Sequence, residues 1–453
     1  ERSAAEQLVL SGRIDEGALG LRRVLAVMGM RAPQSSLGAV FALVFYQIRL
    51  RILGLRFRER AAEEVSSEDR VRVETLRAVS TGLSAVDVIL GACMQARHLL
   101  LAMAVGDRMQ VLRAMCVELV QFAVANQAEG KRERAMVEVA RGLAAREGLE
   151  GQLYFDGARG LVSYLRGRFL EGRQALDAVV DASRKVPRGM TGTANFRLFA
   201  VFAAFHSGAL RDEAHDGRLL LRDVEDRGDV YTAVSLRMTI MVDVALAADE
   251  PDEARRHLQS AMAQWTSKRF SVQHWYAMFS EASVELYVGD GARAYARIDR
   301  DSRALKKSFL LHSRFIGAYT AYVRGCSAVA SAEANIAVAP SRLREARRIA
   351  RKLERDPADW IRGLASLVRA AAANAEGERA EAVDALRVGL ERTEAAGMLT
   401  LARAARYQLG LLVGGDDGAE LVAQAERAMT REGVRAPARM AGFMLPGRWS
   451  PTP

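Results

Sequence analysis

One short pattern recurs along this chain of 453 residues and limits what it can fold into. A turn-favouring residue is followed five positions later by a small residue, and four further on by an apolar one. It reads Gly12, Gly17, Leu21; then Gly130, Ala135, Val139; then Gly167, Gly172, Leu176. It continues as Asp249, Ala254, Leu258; Gly289, Ala294, Ile298; and Gly377, Ala382, Leu386. Looser copies start at Gly106, Gly208, Ser341 and Gly418. From Gly130 onward the starts lie 37, 41, 41, 40, 52, 36 and 41 residues apart. A period of that size is one pair of helices and its connections. Glycine ends the first helix because it accepts a left-handed backbone at low cost. The small residue lets the second helix lie close against the first, and the apolar residue one turn later fills the seam.

Helical periodicity supports the same unit. In 341–356, Leu343, Ala346, Ala350 and Leu353 form one apolar stripe, and arginines fill most of the rest. Ser341 is read as the N-cap of that helix and Pro357 as its stop. Amphipathic segments recur at Gln259–Trp265, Glu281–Val288 and Leu421–Met429. One such pair cannot bury its face alone, so the pairs must stack. Composition agrees: half the chain is hydrophobic, only 6% is aromatic, and proline occurs nine times. Strand-type runs of β-branched and aromatic residues are almost absent.

The unit Gly167-Arg168-Phe169-Leu170-Glu171-Gly172 resembles the Gly-x-Tyr-x-x-Ala turn of tetratricopeptide repeats. The period is a little longer than the tetratricopeptide norm of about 34. The expected fold is therefore all-α, a tetratricopeptide-like α-α solenoid in which helix pairs form a right-handed superhelix. Three regions are expected. Residues 1–105 hold N-terminal helical repeats with an irregular insert near 30–64, residues 106–430 the helix-pair array, and residues 431–453 a C-terminal tail. Residues 331–340 read as a loop between pairs.

Charge and cysteine content narrow the function classes. Lysine occurs only at Lys131, Lys185, Lys268, Lys306, Lys307 and Lys352, so arginine carries nearly all of the 65 positive charges and the net charge of +10. The charges are interleaved with Asp and Glu, which favours a solvated surface over a polyanion site. Arg49, Arg51, Arg56, Arg58 and Arg60 crowd one region, but Phe57 alone stands ready to stack a base there. Nucleic acid is therefore not an expected partner. Cys93, Cys116 and Cys326 are few, odd in number and far apart, as suits a reducing cytosol. No signal-peptide pattern opens the chain. It starts at Glu1 in mid-pattern, as a piece of a longer protein would. The apolar run 39–48 stops at Arg49, too short for the roughly 20 residues of a membrane span.

No catalytic, cofactor-binding or metal-binding residue is picked out. There is no Gly-x4-Gly-Lys-Ser/Thr loop and no His-Arg-Asp or Asp-Phe-Gly kinase mark. Gly289-Asp290-Gly291 falls at a repeat turn, not after a strand. No two of His98, His206, His215, His257, His274 and His312 lie at i, i+4 spacing, and no Cys-x-x-Cys exists. His98 reads as a partly buried helix residue. Gln273-His274-Trp275-Tyr276 reads either as the lining of a concave ligand groove or as helix-pair core with a polar tip.

Several segments together resemble the C-terminal region of large myxobacterial serine/threonine protein kinases. They are Ala4-Ala5-Glu6-Gln7-Leu8, Ser11-Gly12-Arg13-Ile14-Asp15-Glu16-Gly17, Gly54-Leu55-Arg56-Phe57-Arg58-Glu59-Arg60 and Gln95-Ala96-Arg97-His98-Leu99-Leu100-Leu101. Arg227-Gly228-Asp229-Val230-Tyr231, Leu286-Tyr287-Val288-Gly289-Asp290-Gly291 and Glu432-Gly433-Val434-Arg435-Ala436-Pro437-Ala438-Arg439-Met440 complete the set, closing at Pro446-Gly447. In that family a kinase domain and an AAA-type ATPase module precede a tetratricopeptide-like tail. The resemblance implies a cytoplasmic, non-catalytic interaction and regulatory scaffold, with the parent kinase and ATPase modules or another protein as partner. It carries over no catalytic residue. The alternative is a ligand-sensing helical-repeat domain of a transcription activator. An enzyme in its own right has only the unassigned histidines and aromatics in its favour.

Overall fold

Gly167 shows how the repeat becomes structure. Its φ is +80°, and its N–H donates to the Tyr164 carbonyl while Arg168 N–H donates to Ser163, ending one helix and starting the next. Five residues on, a Cβ at Gly172 would sit 2.8 Å from the Tyr164 nitrogen, so only glycine allows the two backbones to touch. Leu176 then lies fully buried in the seam.

The computed structural model describes residues 8, 11–30, 32–84, 87–125, 129–186 and 193–449. Ala4-Ala5-Glu6-Gln7, within the first resembling segment, lies outside the described residues. The described chain is an all-α solenoid. It begins with α1 (Ile14–Val27), α2 (Ser36–Leu53), α3 (Ser67–Ser84), α4 (Val88–Val105), α5 (Arg108–Ala125) and α6 (Lys131–Arg146). It continues with α7 (Gly148–Leu165), α8 (Phe169–Ser183), α9 (Thr193–His206), α10 (Leu210–Asp226), α11 (Val230–Met238), α12 (Ile240–Ala247), α13 (Pro251–Gln264) and α14 (Val272–Tyr287). The last elements are α15 (Gly291–Lys307), α16 (Arg314–Ala334), α17 (Ala339–Glu354), α18 (Asp359–Ala375), α19 (Arg379–Ala395), α20 (Leu399–Val413), α21 (Gly415–Arg431) and α22 (Pro437–Met444). The most extensive helix contacts join sequence neighbours, such as α18 with α19 and α7 with α8. No strand occurs among the described residues; Arg60 and Asp107 form an isolated bridge.

The pattern holds at most starts and fails at three. Gly12, Gly289 and Gly377 share the positive φ of Gly167, and Asp249 adopts it at +59° without being glycine. Gly130 instead is an N-cap in extended backbone. The register of α6 shifts accordingly: Ala135 is exposed, and Glu133, Met136, Val137 and Ala140 face the core. Glu133 there pairs with Arg166 at 2.6 Å, both nearly inaccessible. Ser341 and Gly418 lie inside α17 and α21, not at turns, and the cap of α17 is Val338. The expected loop at 331–340 shrinks accordingly, because α16 runs on to Ala334 and α17 begins at Ala339.

Two helical stretches, Val88–Val105 and Val230–Ala247, are long and apolar enough to cross a bilayer by length and composition. Of these, 67% and 61% are buried inside the molecule, as core helices are, and Thr239 breaks the second. The apolar run 39–48, by contrast, forms part of α2.

The series of pairs curls until distant turns meet. Phe169 N–H donates to the Ala396 carbonyl at 3.3 Å, and Gly167 abuts the Trp360 indole. Arg403 donates to the Gly208 carbonyl at 2.6 Å, and Thr400 to that of Phe205. At the other end the Thr266 hydroxyl donates to the Gly12 carbonyl at 2.7 Å, and α5 touches α16. The solenoid thus wraps around its concave face.

A candidate ligand cavity closed by the C-terminal segment

The concave face lines a partly open cavity of about 450 Å³. Its wall is built from the inward faces of successive helices: Tyr164 from α7, Phe199, Phe202 and His206 from α9, Tyr231 and Ser235 from α11, and Asp243 from α12. Trp275, Tyr276 and Phe279 come from α14, and Phe315, Tyr319 and Tyr322 from α16. Helical spacing explains the convergence, because residues three or four apart share a face. Phe199, Phe202 and His206 follow that spacing, as do Phe315, Tyr319 and Tyr322. The rings pack edge to face, with Tyr164 and Phe199 at 5.6 Å and His206 and Tyr319 at 5.4 Å. His206 stacks flat on Phe169 at 4.5 Å.

The C-terminal segment closes one side. Phe443 and Met444 of α22 are part of the cavity wall. Arg435 N–H donates to the Ala247 carbonyl at 2.8 Å, and Arg439 pairs with Asp249 at 2.6 Å. Tyr287 donates to the same Asp249 carboxylate at 2.7 Å, so the non-glycine turn residue is tied to the segment. Tyr322 donates its hydroxyl proton to the Met444 carbonyl, and Gln408 donates to that of Leu445 at 3.0 Å. Trp449 is buried, and its indole N–H also donates to Leu445. Farther out, Arg448 N–H donates to Glu333 at 3.0 Å, and Asn374 donates to the Arg448 carbonyl at 3.0 Å.

Polar side chains also line the cavity, and they are unevenly satisfied. Ser235 donates to the Tyr231 carbonyl and Ser283 to that of Phe279, each bonding back to its own helix. The His206 Nδ1–H donates to the Phe202 carbonyl at 2.9 Å, and burial pushes the imidazole down to about 4, so it is neutral at pH 7. The Cys326 thiol is pushed up to about 12 by burial. By contrast, the buried Tyr319 hydroxyl has no hydrogen-bond partner among the described residues. Asp243 has neither hydrogen bond nor ion pair through its carboxyl among the described residues. Burial pushes that carboxyl up to about 8. Glu213 on α10 is fully buried with one carboxyl oxygen unpartnered; burial, and then the charge of Asp243, push it well above the usual range. Among the described residues lining the cavity there is no Lys or Arg.

The residues that stand out in the sequence fall both on and off this site. Trp275 and Tyr276 line the cavity, with the Trp275 indole N–H donating to Thr320 at 2.8 Å. Gln273 is buried behind them, and His274 caps α14 through Ser271. His98 is fully buried, not partly; it contacts Gln95 at 3.3 Å, and burial pushes it down to about 3. Gly289-Asp290-Gly291 is a helix-pair turn, with Gly291 against Ala330. The arginine face of α17 is partly engaged within the chain: Arg347 pairs with Glu376, Glu378 and Glu381, and Arg342 stacks on Tyr295 at 3.7 Å. Asp243, Tyr319 and Phe199 do not stand out in the sequence. The spacing of Phe196, Phe199, Phe202 and Phe205 is a signal for Phe199 alone; nothing in the sequence singles out Asp243 or Tyr319.

Away from the cavity, α2 carries an apolar stripe facing outward: Leu37, Phe41, Phe45, Ile48 and Ile52 are all exposed, Phe41 by 75%. Arg49 lies 5.8 Å from the Phe45 ring. Among the described residues no three His, Cys, Asp or Glu side chains group as metal ligands would. Compared with known proteins, the chain matches no family model and no curated protein.

Proposed function

We propose that the chain is a non-catalytic regulatory module that senses a small, largely apolar ligand inside the solenoid. The observation that carries this is the aromatic cavity, whose size lies in the range of small-molecule sites, about 300–1,000 Å³. Ser235 and Ser283 bond to their own helices, the Cys326 thiol stays protonated, and the Tyr164 hydroxyl, 3.5 Å from His206 Nδ1, is held by burial well above the usual phenol range. Nucleophilic catalysis needs an activated nucleophile. The groove that a peptide partner would occupy in an open solenoid is held by residues 434–449 of the same chain.

The neutral apolar dye N-phenyl-1-naphthylamine tests this. It is expected to bind with one-to-one stoichiometry and raise the Tm, and Ser280→Phe, which adds bulk at the cavity wall, is expected to abolish both effects. Dye binding that survives Ser280→Phe, or no binding to the wild type, would overturn the reading.

The stripe on α2 supports a second role alongside sensing. An exposed contiguous apolar face marks an interaction site. By the resemblance to myxobacterial kinases, we read it as the surface through which the module meets the parent kinase and ATPase modules. Copurification with those modules, lost in Phe41→Glu, is the expected result. Copurification unaffected by Phe41→Glu would remove the assignment.

A further inference from the structure

We infer that the cavity takes a monocationic ligand, an amine or ammonium group on an apolar aromatic body, with the Asp243 carboxyl as its counter-charge. This rests on the ligand-sensing reading and names the class of ligand. Three observations converge on it.

The first is charge. Lys and Arg outnumber Asp and Glu by 65 to 55 in the whole chain, yet among the described residues no Lys or Arg lines the cavity, while Asp243 does. An anionic ligand would meet no counter-charge there. The second is unmet demand. Asp243, part-buried, lines the cavity with no hydrogen bond or ion pair through its carboxyl among the described residues; the Tyr319 hydroxyl on α16 is buried and unpaired among them, and Glu213, buried outside the lining, has one unpartnered oxygen. Buried polar groups without partners are rare enough to require a cause, and a bound ammonium supplies N–H donors to the Asp243 carboxylate and the Tyr319 oxygen. The third is the wall itself. Tyr164 and Tyr276 present aromatic rings to the same space, and their π faces attract cations. Tyr164, Tyr276, Tyr319 and Asp243 all line the same space. Without ligand, burial keeps the Asp243 carboxyl protonated near neutrality, so the empty cavity need not hold a bare charge. An ammonium entering displaces that proton, and the net charge of the site is unchanged.

Calorimetric titration of the whole chain with 2-naphthylmethylammonium, its neutral isostere 2-naphthylmethanol and the anion 2-naphthoate distinguishes the possibilities. The expected order is cation first, at least tenfold tighter than the alcohol, with no binding of the anion. In Asp243→Asn the ratio of cation to alcohol affinity is expected to fall to near one. Equal or tighter binding of the alcohol or anion by the wild type, or a full cation preference retained in Asp243→Asn, would overturn the cation assignment and leave the cavity reading standing. No binding of any of the three would overturn both. Should Asp243→Asn not fold, the wild type supplies a second measurement: binding of the cation at pH 7 is expected to release a proton, read from the dependence of the calorimetric heat on the buffer, and the alcohol to release none; no release with the cation counts against the inference.

Discussion

Asp243 makes the stability of this protein depend on pH in a direction opposite to that of a salt-bridged carboxylate. In the unfolded chain its carboxyl ionises near 3.8, and in the folded chain near 8. Between those values the folded state holds a proton that the unfolded state has lost, so stability falls as pH rises through the window. Asparagine has no such dependence. The Tm of Asp243→Asn relative to wild type is therefore expected to climb from pH 4 to pH 8; a constant difference would show that the carboxyl is not buried as described. His206 acts in the other direction. Its imidazole is neutral in the fold down to about 4 but charges near 6.5 when unfolded, so its contribution is lost as pH falls through that range. His206→Phe is expected to gain Tm relative to wild type on acidification from 6.5 to 4. Gly167 tests the turn chemistry. At φ +80° a side chain is strained by about 1–2 kcal/mol, and a Cβ there would also sit 2.1 Å from the Trp360 ring. Gly167→Ala is expected to lower the denaturation midpoint by more than the strain alone.

At the scale of elements, the helix pairs are legible in the sequence because a turn residue, a small residue and an apolar residue at fixed spacing describe one physical contact. Gly130 shows the limit. A glycine suits a left-handed turn best but also serves as an N-cap, and spacing alone does not distinguish them; the core position goes to Glu133, which pairs there with Arg166. Breaking that buried pair by Glu133→Ala is expected to cost about 3–5 kcal/mol, read by chemical denaturation. The closing segment is not legible either. Nothing in Val434-Arg435-Ala436-Pro437 says that it meets Ala247 and Asp249, since those residues lie far away along the chain. Its anchor is Trp449, packed at 2% exposure. Trp449→Ala is expected to lower stability by about 3–5 kcal/mol, and also to speed entry of the naphthyl probes by loosening one wall of the cavity. Slower or unchanged entry in stopped-flow fluorescence would argue that ligands enter elsewhere.

At the scale of the molecule, curvature turns a row of ordinary amphipathic helices into a partly open vessel. Each inner aromatic stripe, taken alone, is indistinguishable from helix-pair core, and for Trp275 and Tyr276 the sequence leaves both readings open. Only closure of the solenoid, with Phe169 reaching Ala396 and Arg403 reaching Gly208, sets Tyr164, Asp243 and Tyr319 around one space. That closure depends on side-chain packing between elements remote in sequence, which periodicity does not encode. Where the ligand sits is the point on which sensing stands or falls, and hydrogen–deuterium exchange of the chain with and without 2-naphthylmethylammonium locates it directly. The prediction is added protection on four helices distant in sequence, α9, α12, α14 and α16, with α2 unchanged. Protection confined to α2, or none on the cavity helices at saturating ligand, would contradict it.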